Sequence, residues 1–224
     1  MITLVVFDMA GTTIDEHGDV YRALARTVEE TGASITDDDV QRWMGADKRE
    51  AIAALIEIGG GVPDQSVVDA AFDRFRAVLL SLYSSNPPAP LPGIPEALQE
   101  LKTQGIKTAL TTGFSRDVTE LLLKGLGWQD VDFLDTVICS DEVPMGRPAP
   151  YMIHRAMEVT GVISVSEVLS AGDTVNDLLA ARNAGVTGVG VLTGGLNRAE
   201  LEQYPHECIV DSAADVPALV KSRS

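Results

Sequence analysis

Cysteine is nearly missing from this sequence: Cys139 and Cys208 are the only two in 224 residues. That excludes a disulfide framework and a zinc site built on cysteine spacing. Both sit in or beside apolar runs, which reads as buried free thiols. Positive charge is scarce as well. Lys and Arg total 17 against 33 Asp and Glu, a formal net charge of −16, so nucleic-acid backbones and anionic membrane surfaces are repelled and neither is expected as a partner. A small phosphorylated metabolite suits that field only where a metal or a few placed cations reverse it locally. Apolar runs long enough to span a bilayer are absent too. The opening Met1–Asp8 meets an acid after a short apolar run, without the basic start or small-residue cleavage site of a secretory signal. A soluble cytoplasmic protein is expected.

Apolar residues are abundant, at 45% of the chain, enough for one large domain or one domain carrying an insertion. Residues 2–7 form a continuous, β-branched-rich run that ends at Asp8 and Gly11, the pattern of a buried parallel strand followed by a loop. Similar runs recur at 106–110, 136–139, 168–171 and 187–192, alternating with amphipathic segments such as 94–102 and 117–126. This alternation predicts an α/β fold with a parallel sheet covered on both faces, whose ligands bind at the carboxyl ends of the strands. Between residues 15 and 90 the period becomes helical: Tyr21, Leu24, Ala25 and Val28 share one face, and Val68, Ala71, Phe72, Phe75, Val78, Leu79 and Leu82 share another. An all-helical insertion is expected there, with the Pro-rich stretch 86–93 as its stiff return. Gly59–Gly61 reads as a linker, since no Lys-Ser/Thr pair follows it.

Four segments carry chemistry, each where a strand should end. Asp8-Met9-Ala10-Gly11-Thr12-Thr13 offers an acid, a turn glycine and two hydroxyls; Thr111-Thr112-Gly113 offers hydroxyls for a phosphoryl oxygen. Gly146-Arg147-Pro148 places a guanidinium in a pinned loop, and Asp173 and Asp177 in Gly172-Asp173-Thr174-Val175-Asn176-Asp177 suit one hard cation. Plainer readings stand beside these: turn-capping residues, a surface arginine packed on proline, and acids favoured by a helix N-terminus.

In this order the four segments resemble the haloacid dehalogenase-like superfamily of phosphohydrolases, over essentially the whole chain. The resemblance implies a Rossmann-like core (residues 1–14 and 91–224) and an inserted helical cap (15–90) that closes over the site. It makes Asp8 the nucleophile, Thr112 and Arg147 the phosphoryl holders, and Asp8, the Ala10 carbonyl, Asp173 and Asp177 the ligands of Mg2+. Most phosphatases of the superfamily carry an Asp two places after the nucleophile as general acid. Here that place is Ala10.

Asp-x-Ala-Gly-Thr-Thr, Thr111-Thr112-Gly113-Phe114 and Gly146-Arg147-Pro148 resemble instead the phosphonatase branch, in which a cap lysine after a Met-Gly pair forms a Schiff base. Met44-Gly45-Ala46-Asp47-Lys48 makes Lys48 that candidate, with Thr12, Thr111, Gly113 and Met44 as expected substrate contacts. An imine accepts the electrons released by carbon–phosphorus cleavage, so no acid need stand at Ala10. Lys48 also has the plain reading of a solvent-facing helix lysine, and its neighbours Arg49, Asp47 and Glu50 pull its pKa in opposite directions. Departures from the branch are Ala51 for its histidine, Phe114 for its tyrosine, and no cysteine in Asp15-Glu16-His17-Gly18. His17 is a substitute shuttle or a solvated loop residue.

The expected function is Mg2+-dependent hydrolysis of a small carbonyl-bearing phosphonate, phosphonoacetaldehyde or a relative, through an aspartyl-phosphate and a Lys48 Schiff base. The second reading is a phosphatase for phosphoglycolate or a sugar phosphate, with Lys48 as a clamp. A non-catalytic phosphometabolite-binding domain is the third. Oligomeric state, a homodimer included, is left open.

Overall fold

A computed structural model describes residues 1–222. The chain runs β1 (Leu4–Asp8), β2 (Ile14–Asp15), α1 (Asp19–Glu29), α2 (Asp37–Arg42), α3 (Lys48–Ile58), α4 (Gln65–Ser85) and β3 (Ala89–Pro90). It continues α5 (Ile94–Thr103), β4 (Lys107–Thr112), α6 (Arg116–Leu126), β5 (Thr136–Cys139), α7 (Tyr151–Thr160), β6 (Val168–Gly172) and α8 (Val175–Ala184). Then follow β7 (Thr187–Val191), α9 (Arg198–Leu201), β8 (Cys208–Val210) and α10 (Val216–Lys221).

The six-stranded sheet has the order β5-β4-β1-β6-β7-β8, and every pairing in it is parallel. β1 is buried along its whole length because it pairs on both edges and is covered on both faces. Val5 and Phe7 pack with α5, α6 and α10, while Leu4 and Val6 pack with α7 and α8. Alternate residues thus meet two different apolar layers, which is why the strand reads as an unbroken apolar run. This is the Rossmann-like architecture expected from the alternation of strand and helix.

The chain crosses from β1 to β4 on one side and reaches β6 on the other, so the connections diverge above the carboxyl end of β1. Such a switch point leaves a crevice for ligands. Asp8 ends β1, Thr112 ends β4, and Asp173 directly follows β6.

Helices α1 to α4 lie between β2 and β3, whose antiparallel register pairs Ile14 with Pro90 and Asp15 with Ala89. The sequence signalled neither strand of this ribbon. It is two residues wide, and Pro90, lacking an N–H, is tolerated because the ribbon is all edge. β8 was missed for a similar reason: three half-buried residues at the sheet edge carry no readable period. In α4, Val68, Ala71, Phe72, Phe75, Val78 and Leu79 are buried, and they join the same apolar cluster as Val5 and Phe7 of the sheet. Gly59–Gly61 links α3 to α4, and a Cβ on Gly59 would stand 2.6 Å from Ala33 Cβ. Neither cysteine forms a disulfide among the described residues; Cys139 is buried as expected, whereas Cys208, on the edge strand, is only half-buried. Among the described residues no helix is long and apolar enough to cross a membrane.

Candidate active site

Asp8, Asp173 and Asp177 bring carboxylate oxygens within 4.8 Å of one another, all three residues buried. Local structure explains each placement. Thr174 caps α8, accepting from the Asp177 N–H, while its own N–H and hydroxyl donate to Asp177 Oδ2 at 3.0 and 2.6 Å. Asp177 is therefore both the helix N3 acid and a wall of the site. Thr12 Oγ1 donates to Asp173 Oδ1 at 2.7 Å. Glycines make the room: a Cβ on Gly11 would lie 2.6 Å from Asp173 Oδ2, and one on Gly194 only 1.9 Å from it.

One cation answers these acids. Arg147 Nη1 lies 2.6 Å from Asp8 Oδ1 and also pairs with Asp177. Among the described residues its Nε and Nη2 are buried with no hydrogen-bond partner, two donors suited to a phosphoryl oxygen. Three acids against one guanidinium leave the cluster short of positive charge. Burial raises Asp8 from 3.8 to about 7 despite the opposing pull of Arg147. Asp173 stands well above the carboxylate range, from burial and then from the charges of Asp8 and Asp177. An all-oxygen donor set with this charge deficit fits a hard divalent cation.

Lys48 faces this cluster from the cap. It opens α3 and is only 4% exposed, which overturns the reading of a solvent-facing lysine. Its Nζ donates to the Ala46 carbonyl at 2.7 Å and lies 5.6 Å from the centroid of the Phe114 ring. Burial and then Arg147 bring its pKa from 10.5 down to about 8, against Asp47, Asp8 and Glu16. Arg49 is not the cause; its guanidinium pairs with Asp69 and lies 4.2 Å from the Phe72 ring centroid.

The cap segment before Lys48 is seated on three core loops. A Cβ on Gly45 would meet Thr174 Oγ1 at 2.5 Å, one on Gly113 would meet the Ala46 carbonyl at 2.4 Å, and one on Gly146 would meet Asp47 Cβ at 3.1 Å. Asn176 Nδ2 donates to the Met44 carbonyl at 2.6 Å. Between cap and core remains a chamber of about 20 Å3 lined by Asp8, Ala10, Lys48, Thr112, Phe114 and Arg147, among others. That is room for about one water.

Asp8, Ala10, Lys48, Thr112, Gly113 and Arg147 thus meet around one chamber, with Asp173 and Asp177 beside Asp8. Thr112 Oγ1 accepts from the Phe114 N–H at 3.2 Å. Two expected substrate contacts lie behind the wall: Thr12 holds Asp173, and Thr111 Oγ1 donates to the Phe7 carbonyl at 3.4 Å. Met44 borders a neighbouring cleft. His17 lies beside the β2–β3 ribbon, its Nδ1 3.2 Å from Asp15 and its Nε2 3.4 Å from the Pro87 carbonyl.

Sequence reasoning passed over Glu16, Tyr21 and the loop 193–195. Glu16 is buried and accepts from the N–H groups of Gly18 and Val20 at 3.2 and 2.8 Å. Burial raises its pKa. Tyr21 touches the chamber, and Thr193 Oγ1 donates to the Gly11 carbonyl at 2.6 Å. No motif in the sequence marks any of them.

The chain belongs to the haloacid dehalogenase-like hydrolases: residues 5–191 match that family's model. It is a hydrolase of that type. A phosphonoacetaldehyde hydrolase from Bacillus cereus is 32% identical over 223 residues, covering 90% of this chain and 81% of that protein. Among solved structures, a hydrolase from Pseudomonas syringae superposes with TM-score 0.87 at 24% identity, over 98% of each chain. A phosphonoacetaldehyde hydrolase-like protein from Oleispira antarctica superposes with TM-score 0.84 at 21% identity, over 99% of this chain and 92% of that one. Those two establish likeness of fold.

Proposed function

We propose that the protein hydrolyses the carbon–phosphorus bond of a small carbonyl-bearing phosphonate such as phosphonoacetaldehyde. The observation that carries this reading is the buried Lys48, with a pKa near 8, facing Asp8 across a chamber in which Ala10 offers no acid. Part of Lys48 is neutral near that pH, as imine formation requires. The substrate carbonyl condenses with Nζ and releases water. Asp8 attacks phosphorus, the carbon–phosphorus bond breaks, and its electron pair passes into the protonated imine as an enamine. Protonation at carbon and hydrolysis of the imine free the aldehyde and Lys48. A second water releases phosphate from Asp8.

Arg147 orients the phosphoryl group and offsets charge developing on its oxygens through Nε and Nη2, and Thr112 closes the other side. Phe114 and the seated segment 45–48 exclude bulk water. Asp8, Asp173, Asp177 and the Ala10 carbonyl would hold Mg2+, which supplies charge neutralisation at the phosphoryl oxygens. Core (1–14 and 91–222) and cap (15–90) act as two bodies hinged at the β2–β3 ribbon, because a chamber of about 20 Å3 admits substrate only when they part.

A phosphatase with Lys48 as clamp is the second reading, favoured by the bond from Lys48 Nζ to the Ala46 carbonyl, which suits a charged ammonium. Borohydride reduction in the presence of phosphonoacetaldehyde separates the two. Covalent labelling of Lys48, found by peptide mass, is expected. Unlabelled protein that still releases phosphate from that substrate sinks the imine.

A further inference from the structure

A second cleft, of about 270 Å3, opens beside the reaction chamber; Ala10 and Tyr21 line both. Its size is that of a small-metabolite site, just below the roughly 300–1,000 Å3 of ligand pockets. The reaction chamber holds about one water, so any substituent beyond the reacting carbon must reach an adjoining space, and this cleft shares two wall residues with the chamber where the clefts beyond Thr174 and Gly113 share one each. Its charged walls are one-sided. Asp15, Glu16 and Asp173 line it, His17 is its only basic side chain, and no Lys or Arg does. His17 is already engaged by Asp15 and the Pro87 carbonyl, and Asp173 belongs to the aspartate cluster. Glu16 is left. Its oxygens take one backbone N–H each, and a carboxylate has about four acceptor positions.

We infer that this cleft is the subsite for the substrate's tail, that Glu16 and Tyr21 set its specificity, and that it selects a hydrogen-bond-donating tail, hydroxyl or ammonium, against a carboxylate. The inference rests on the proposed phosphoryl chemistry at Asp8 and names the substrate class within it. A carboxylated tail would sit beside Asp15 and Glu16 with no guanidinium or ammonium lining the cleft to answer it, a juxtaposition that works against binding. A hydroxyl or ammonium donates to Glu16, with Tyr21 lining the same wall.

The test compares phosphate release from phosphonoacetaldehyde, 3-hydroxy-2-oxopropylphosphonate, 3-amino-2-oxopropylphosphonate and phosphonopyruvate, with magnesium. The hydroxyl and amino compounds are expected to exceed phosphonopyruvate in kcat/KM by about tenfold or more. Glu16→Gln should narrow the amino-over-carboxylate ratio by a similar factor. Gly195→Lys should narrow it independently, by adding a cation to the wall where a Cβ meets only Met44 Cε, at 3.4 Å. Phosphonopyruvate matching or beating the donors, or a ratio that neither variant moves, overturns the subsite. If no phosphonate is cleaved, the carbon–phosphorus reading alone fails. The same ranking is then read on O-phosphoethanolamine, glycerol 3-phosphate and phosphoglycolate, where a lead for phosphoglycolate, or no release from any ester, overturns the inference.

Discussion

The two walls of the reaction chamber are built differently. On the core wall, Asp8, Thr112 and Asp173 stand at the ends of adjacent parallel strands, and hydrogen bonds from Thr12 and Thr174 fix the acids. On the cap wall, Lys48 is one side chain at the start of a helix, and its place depends on how residues 45–47 rest on Thr174, Gly113 and Gly146. The core wall is set by a sheet. The cap wall is set by docking. On the hinged reading proposed above, one wall keeps its geometry when core and cap part, and the other is complete only when they meet.

The largest expected effect removes the chemistry from the core wall. Asp8→Asn should cut phosphate release by about 10⁴ to 10⁶, as loss of a covalent nucleophile does, with the fold intact by circular dichroism. Residual turnover within about tenfold of wild type would move the nucleophile elsewhere.

Two glycine variants separate the walls. Gly113→Ala pushes a Cβ to 2.4 Å from the Ala46 carbonyl, lifting Lys48 from its seat, and should cost about a hundredfold in kcat/KM, the scale of a 1 Å misplacement. Magnesium affinity should be unchanged. Gly194→Ala drives a Cβ to 1.9 Å from Asp173 Oδ2 and should weaken magnesium binding by about 10- to 100-fold, while Lys48 remains open to borohydride trapping. Calorimetric titration with magnesium reads both; variants that fail together would mean the walls are one cooperative unit.

The smallest effect is thermal. Asp8 has its folded pKa raised from 3.8 to about 7, so in metal-free protein its contribution to stability is fully present below 3.8 and lost as pH rises through about 7. Magnesium must displace that proton. At a hundredfold excess over its Kd it should raise the melting temperature by roughly 5 to 10 °C at pH 8, and by clearly less at pH 5. Equal shifts at both pH values would detach the metal from Asp8.

Much of the core wall was legible in the sequence. An acid after a continuous apolar run marks a strand end at Asp8, and with Thr112 at the end of β4 and Asp173 just past β6 it fixes a crevice, because parallel strands direct their carboxyl ends to one side. Lys48 was singled out by the resemblance of Met44-Gly45-Ala46-Asp47-Lys48 to the phosphonatase branch and by the lack of an acid at Ala10, and it lines the chamber. The sign of its environment was not legible: Arg147, 99 positions away in the sequence, acts on it where Arg49 does not. Glu16 and Tyr21 were hidden because a buried acid and a helix tyrosine carry no motif, and their cleft forms only when the hinge folds beside the loop 193–195.

By itself, then, the sequence determined the parallel core, the helical insertion and the strand-end aspartate Asp8, all written in local periodicity and short-range spacing. Tertiary structure alone decided that Lys48 is buried, that Thr12 serves Asp173, and that an acidic cleft adjoins the chamber. Those facts depend on surfaces brought together from residues up to 182 positions apart, as Thr193 and Gly11 are, and burial, charge balance and cavity shape arise only once such surfaces meet.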